Sequence, residues 1–312
     1  MERKILVALD GSIQDSHTIN YIDMVFRNQP EIIFTFATVL PSPSLSESRR
    51  LLDSEELEHP SDGASLAKKT KHQKHHKAVI SQLVSRGFEA EQFETLTVFS
   101  PTNPAIKLYN IGQKQLYDAL LLASRGLDML TTLITGSTSQ TLLKKSHTMP
   151  IWVLNGEPRN AHFMIPVDCS SHCMAAVDHL AFILHDNPNA TITLFHATSF
   201  IKTNPNTEQD RCYLKWGKEW QEEVNCPDTT SHYHFFAAQM ILKEAGFPTT
   251  RTNTASPMLD IEPARAITRY SEKNHFDTIV LGRRPDSDKG FFRGVSDRVL
   301  ANTKDCAVWI VG

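Results

Sequence analysis

The sequence has no apolar run approaching the roughly 20 residues that a membrane-spanning helix needs. Its opening, Met1-Glu2-Arg3-Lys4, leads into only the short apolar stretch Ile5 to Leu9 before Asp10. That is shorter than a secretory signal core, so a cytoplasmic location is the expectation. An excess of one charge is also missing: 32 Lys and Arg against 35 Asp and Glu leave a formal net charge of −3. Nucleic-acid backbones are held by surplus Lys and Arg, so no nucleic-acid partner is expected. Cysteine is sparse, and Cys169, Cys173, Cys212, Cys226 and Cys306 all fall in the second half. Such an odd, scattered set reads as reduced thiols rather than a disulfide framework. Cys169 and Cys173 follow a strand candidate closely, but no second Cys/His pair is obvious nearby, and no metal is assigned to them. Motifs of hydrolytic and phosphoryl-transfer chemistry are missing as well. There is no Walker-type Gly-x4-Gly-Lys-Ser/Thr, no Gly-x-Ser-x-Gly elbow and no His-Glu-x2-His. No catalytic residue is assigned.

What is present is a repetition. Residues 4–12 read Lys-Ile-Leu-Val-Ala-Leu-Asp-Gly-Ser, and residues 162–170 read His-Phe-Met-Ile-Pro-Val-Asp-Cys-Ser. Tyr117 to Leu122 matches Phe276 to Leu281, and Pro150 to Leu154 matches Ala307 to Val311. The pairs Asp10/Asp168, Asp118/Asp277 and Trp152/Trp309 lie 158, 159 and 157 residues apart, about half of the 312-residue chain. A near-constant offset at three places marks a duplication. The expected domains are 1–156 and 160–312, each long enough to bury its own core. Between them runs a short linker, Asn155 to Asn160, broken by Gly156 and Pro158.

Within each half, apolar runs alternate with longer amphipathic stretches. Strand candidates lie near 4–9, 31–38, 93–99, 117–122 and 150–154, and again near 162–167, 190–196, 250–255, 277–281 and 307–311. Helix candidates in the first half lie near 16–27, 64–86, 103–115 and 137–146, with Asn103-Pro104 reading as an N-cap and first-turn proline. Continuous Val/Ile/Leu runs suit strands covered on both faces. The fold expectation is therefore α/β: two tandem, open, mostly parallel five-stranded sheets of Rossmann-like kind with helices on both faces. Residues 40–63, rich in Pro, Ser and Glu, and the polar stretch 200–230 stand outside the pattern as long loops. Trp152 and Trp309, inside closing strands, read as packing residues.

In a parallel sheet a ligand sits beyond the carboxyl ends of the strands, where a glycine-bearing loop opens onto a helix. Strand 117–122 is followed by Ala123-Ser124-Arg125-Gly126, then nine residues, then Gly136-Ser137-Thr138-Ser139 and an amphipathic stretch. Glycine lets a phosphate approach the backbone, and the hydroxyls add donors beside free helix N–H groups. Asp10, ending the first strand, would face the same crevice and accept hydrogen bonds from ribose or adenine. The same residues also fit ordinary turn glycines and a plain N-cap.

These residues resemble the nucleotide-binding branch of the universal stress proteins, which carry an Asp after the first strand and a Gly-x2-Gly-x9-Gly-Ser/Thr loop before the last helix. The first half is similar to that family over its whole length, with Ala123 replacing the first glycine. The resemblance implies ATP or AMP as ligand, with Mg accompanying ATP. It places Asp10 and Val39 at the adenine side, and Ser124, Arg125, Gly126, Gly136, Ser137, Thr138 and Ser139 around the phosphates. It also implies a regulatory stress-response role, possible protein partners at the variable loops, and pairing of closing strands. In a tandem chain that pairing would join 150–154 to 307–311 as an internal pseudo-dimer, with a homodimer as the other arrangement.

The second half departs from the pattern. It reads Gly282-Arg283-Arg284-Pro285, then Gly294-Val295-Ser296 after a gap one residue short. Pro285 removes a backbone donor, so this copy is expected to be degenerate. Arg283, Arg284, Lys289 and Arg293 read as a solvated basic loop, with an anion site as the alternative. The run His72-x2-His75-His76, flanked by Lys71, Lys74 and Lys77, reads as a solvent-exposed helix face rather than a metal site, because the lysines repel a cation. Two further functional classes stay open: a slow ATPase or other adenine-nucleotide enzyme, and a scaffold or small-ligand carrier without nucleotide.

Overall fold

The computed structural model describes residues 2–42, 63–123, 149–168, 170–199, 233–255, 258–283 and 294–312. The helix candidate 137–146, the polar stretch 200–230 and nearly all of 40–63 lie outside the described residues. The chain divides into two compact units, Met1–Glu157 and Pro158–Gly312.

In the first unit, β1 (Arg3–Ala8), α1 (Gln14–Phe26), β2 (Ile32–Pro41), α2 (Gly63–Ser85), β3 (Phe93–Ser100), α3 (Pro104–Lys114), β4 (Ala119–Ala123) and β5 (Ile151–Asn155) follow one another. The strands lie side by side as β3-β2-β1-β4-β5, each neighbouring pair parallel. Ile5, Leu6 and Val7 are fully buried, as are Leu120 and Leu121, because helices cover the sheet on both faces. The chain lays β1, β2 and β3 in one direction and then crosses back to β4 and β5. Right-handed crossovers therefore put α1 and α2, which touch, on one face and α3, against β1, β2 and β4, on the other. Asn103 caps α3 by accepting from the N–H of Ala105 at 2.9 Å, ahead of Pro104 in the first turn. Trp152 is completely buried, with Phe26 stacked on it at 5.9 Å.

The second unit repeats the plan. Its elements are β6 (His162–Pro166), α4 (Ser171–Ile183), β7 (Thr191–Phe195), β8 (Ala197–Ser199), α5 (Tyr233–Glu244) and β9 (Thr252–Thr254). After them come β10 (Met258–Asp260), α6 (Pro263–Asn274), β11 (Thr278–Gly282), α7 (Val295–Asn302) and β12 (Cys306–Val311). The main sheet runs β12-β11-β6-β7-β9, parallel throughout. Helix α4 packs with α5, and α6 with α7. Trp309 is buried against Phe163 at 5.3 Å. The repeated Asp pair serves one purpose in both units: Asp118 accepts from Lys4 N at 2.7 Å, and Asp277 from Asn160 N at 2.8 Å. Asp118 thereby holds the start of β1, and Asp277 holds the chain two residues ahead of β6.

One difference was not anticipated. In the first unit β2 and β3 pair without a break from Phe34 to Pro41. In the second, β8 and β10 form a separate two-stranded parallel sheet. The equivalent β7/β9 ladder ends at the pair Leu194/Thr254.

Candidate functional site

Strands β1 and β4 are neighbours, and the strand order reverses between them. The crevice at their carboxyl ends is the topological switch point of the first unit. Leu9 N bonds to Ala37 O at 2.9 Å, extending the pairing by one residue. The chain then turns through Asp10-Gly11-Ser12, with Gly11 at φ +80°, a conformation glycine adopts without strain. Asp10 is exposed and its Oδ1 accepts from Ser12 N at 2.9 Å. Val39, half-buried on β2 and paired with Val98, lies toward the same end of the sheet. Of the candidate phosphate loop, the described residues reach Ala123, at the end of β4 beside this turn. Ser124, Arg125, Gly126, Gly136, Ser137, Thr138 and Ser139 lie outside them.

Helix α2 reaches this turn at three points. The Thr38 hydroxyl donates its single proton to Leu9 O at 2.7 Å. It must therefore accept from His76 Nε2, 2.8 Å away, which fixes that tautomer and leaves Nδ1 bare. His76 is completely buried; burial, then its neighbours His75 and His72, push its pKa down to about 4. His75 Nε2 lies 2.7 Å from Oδ2 of buried Asp15, in the first turn of α1. The same oxygen accepts from Gly11 N at 2.8 Å, and Oδ1 accepts from Asp10 N at 3.4 Å. Burial raises the Asp15 pKa, opposed by its bonds to His75 and Gly11. The third point is His72, whose Nδ1–Cε1 edge faces Gly11, with Cε1 3.6 Å from where a Cβ would stand. Burial lowers the His72 pKa, helped by the charges of His75 and Lys71.

The expectation of a solvent-exposed histidine face is thus corrected. His72, His76, Val79 and Leu83 are spaced i, i+4, i+7, i+11 and form the inward stripe of α2, while Lys71, Lys74 and Lys77 are exposed. That spacing was the signal available in the sequence, and the flanking lysines obscured it. Asp15 carried no signal beyond being an acid in a first helical turn.

The second unit builds the same turn with different parts. Val167 N bonds to Phe195 O at 2.8 Å, and Asp168 Oδ1 accepts from Ser170 N at 3.1 Å. The Val167 carbonyl accepts from His196 Nδ1 at 2.7 Å, as the Leu9 carbonyl does from Thr38. Ser170 then caps α4 conventionally, its Oγ accepting from Cys173 N at 3.2 Å. At the end of β11, a Cβ on Gly282 would lie 2.3 Å from the backbone oxygen of His172 in that first turn. Ala123 holds the matching place in the first unit and carries a real Cβ, so there the strand end and helix start stand further apart. Arg283 is buried, donates its N–H to Val311 O at 2.6 Å and pairs its guanidinium with Asp297 in the first turn of α7. That corrects the reading of Arg283 as part of a solvated basic loop, because a buried guanidinium needs a fixed anionic partner. Arg284, Lys289 and Arg293 lie outside the described residues.

Among the described residues, no group of three or more His, Cys, Asp or Glu is placed to hold a metal ion, and no helix is long and apolar enough to cross a membrane.

Fold and site together define a duplicated, doubly wound α/β domain with its crevice at the strand-order reversal. A model of the universal stress protein family matches residues 1–154 and again 160–312. The chain belongs to the universal stress protein family and is a tandem, two-domain member of it. No curated protein matches it in sequence. Among solved structures it is similar to a universal stress protein from Archaeoglobus fulgidus, at 13% identity and TM-score 0.58, covering 99% of this chain and 95% of that one. It is also similar to a functionally unknown protein from Pseudomonas aeruginosa, at 12% identity and TM-score 0.53, covering 99% and 92%. Both likenesses show the fold. A shorter match, to a universal stress protein in complex with cAMP, is 16% identical with TM-score 0.31 and covers 49% of this chain and 96% of that one.

Proposed function

We propose that the first unit binds an adenine nucleotide, ATP or AMP, in the crevice between β1 and β4, and that binding regulates a stress response rather than driving catalysis. The observation that carries this reading is the Asp10 turn. An exposed carboxylate stands at the switch point of a parallel sheet, held by a buried network, beside the strand end from which a Gly126/Gly136-Ser137 loop departs. Asp10 and Val39 would take the adenosine end, Asp10 accepting hydrogen bonds from ribose or adenine. The loop Ser124-Arg125-Gly126 and Gly136-Ser137-Thr138-Ser139 would take the phosphates through backbone N–H groups, with Mg accompanying ATP. The second unit supports a different role. Its crevice is narrowed at Gly282, and the helix start that would meet a phosphate already carries Asp297 paired to Arg283.

The test is direct. Small molecules released from the purified protein are identified by mass spectrometry, and ATP and AMP are titrated by calorimetry. Binding should be lost in Gly136→Val, whose side chain blocks backbone approach, and should survive a change at Gly294. A wild-type protein that takes up neither nucleotide at millimolar concentration overturns the proposal.

A further inference from the structure

The Asp15–His75 pair does more than start a helix requires. In the second unit the residue matching Asp15 is Cys173, and Ser170 Oγ supplies the ordinary cap. The first unit keeps the matching serine, Ser12, yet its Oγ is buried without a hydrogen-bond partner. A carboxylate is buried there instead, which is costly unless hydrogen bonds compensate it. Asp15 has them from three directions: Gly11 N, Asp10 N and His75. Two of the three are backbone groups of the turn that presents Asp10.

We propose that Asp15 and His75 are positioning residues for the nucleotide site, so that helix α2 sets how firmly the Asp10 turn is held and how tightly the first unit keeps its ligand. This rests on the nucleotide reading above. His75 holds the Asp15 carboxylate in place, Asp15 holds the Gly11 and Asp10 amides, and those amides fix the direction of the Asp10 side chain. A turn already fixed before the ligand arrives loses less conformational freedom on binding. The arrangement is found in the unit whose strand end is an alanine, and is replaced by Ser170 and Cys173 in the unit narrowed at Gly282.

The experiment compares His75→Leu, which cannot donate to Asp15, with His75→Gln, whose amide can. Lys77→Ala, on the exposed face of α2, serves as the control. Hydrogen exchange of the Gly11 amide is followed by NMR, with the buried amides of β1 and β4 as internal reference for global stability, and AMP affinity is measured by calorimetry. His75→Leu should speed Gly11 exchange about tenfold and weaken AMP about fivefold, the scale of one lost hydrogen bond. His75→Gln should restore both, and Lys77→Ala should change neither. Unchanged Gly11 exchange in His75→Leu overturns the positioning role, and so does faster exchange with unchanged AMP affinity. A wild type that binds neither AMP nor ATP overturns the nucleotide reading and the ligand half of this proposal, while the exchange result still decides whether the pair holds the turn.

Discussion

In both units the first strand ends two residues before an aspartate, and the carbonyl of the residue between them is taken by a side chain on or just after the second strand. That side chain is Thr38 in one unit and His196 in the other. In both, the aspartate then accepts from the N–H two residues on. Beyond this shared turn the copies part. The first places a buried carboxylate and His75 and His76 of α2 in the hydrogen-bond network at the turn and leaves room for a methyl at Ala123. The second uses one serine cap and closes strand end against helix start so tightly that only glycine fits. Duplication kept the hydrogen bonds that define the fold. The residues around the crevice diverged, and that divergence is the ground on which the nucleotide is proposed for the first copy.

The sharpest way to break this comparison is at the strand ends. Gly282→Ala places a Cβ 2.3 Å from a backbone oxygen that cannot swing away, so the second unit should lose roughly 3 kcal/mol or more on urea unfolding. Ala123→Gly in the first unit should cost only about 0.5–1 kcal/mol, through chain entropy. Equal effects would mean that the two crevices have the same width.

Acid offers the next contrast. The His76 pKa lies at about 4 in the folded protein against 6.5 when unfolded, so the neutral imidazole is the form that folding favours. Its contribution is complete above pH 6.5 and is lost as pH falls toward 4, by up to roughly 3 kcal/mol. His76→Gln should flatten the stability of the first unit over that range, read from exchange of β1 amides at several pH values. A mutant that keeps the wild-type pH dependence would show that His76 is not the group being protonated.

Binding separates the copies by a smaller step. Asp10→Ala should weaken ATP and AMP about tenfold or more, the value of hydrogen bonds to an ionised acceptor. Asp168→Ala, at the matching turn, should leave affinity as it was. If both mutants bind like the wild type, the ligand lies elsewhere. If Asp168→Ala alone weakens binding, the roles of the units are reversed.

How far the sequence revealed all this depends on whether a feature is local. The strands were legible because a sheet covered on both faces demands unbroken Val/Ile/Leu runs, as at Ile5-Leu6-Val7 and Leu120-Leu121. The duplication was legible because Asp10 and Asp168 make the same local bond in each copy, to the N–H two residues on, and Asp118 and Asp277 stand at the same place before a buried strand, so their spacing survived. Asp10 could be singled out from its place after the first strand. His75 and Asp15 could not, because their partnership spans 60 residues and depends on α2 packing against α1. The histidine run was misread for a related reason: lysines on one face of α2 hid the stripe that His72 and His76 share with Val79 and Leu83. The break between β7 and β8 was equally hidden, since it falls within an apolar run that reads as one strand.

The smallest contrast tests whether the two turns really differ in how they start a helix. Ser170 Oγ accepts from Cys173 N, and removing such a cap as Ser170→Ala should cost about 1 kcal/mol. Ser12 occupies the same place, but its Oγ has no protein partner and α1 begins with Asp15 making the bonds. Ser12→Ala should therefore leave stability within a few tenths of a kcal/mol in the same urea titration. Its hydroxyl, buried next to Gly11 in the Asp10 turn, is then left without a capping duty. If Ser12→Ala is neutral for folding yet weakens nucleotide binding, the serine was relieved of its capping duty and left to the ligand. If it costs as much as Ser170→Ala, Ser12 caps its helix after all and Asp15 is not the substitute.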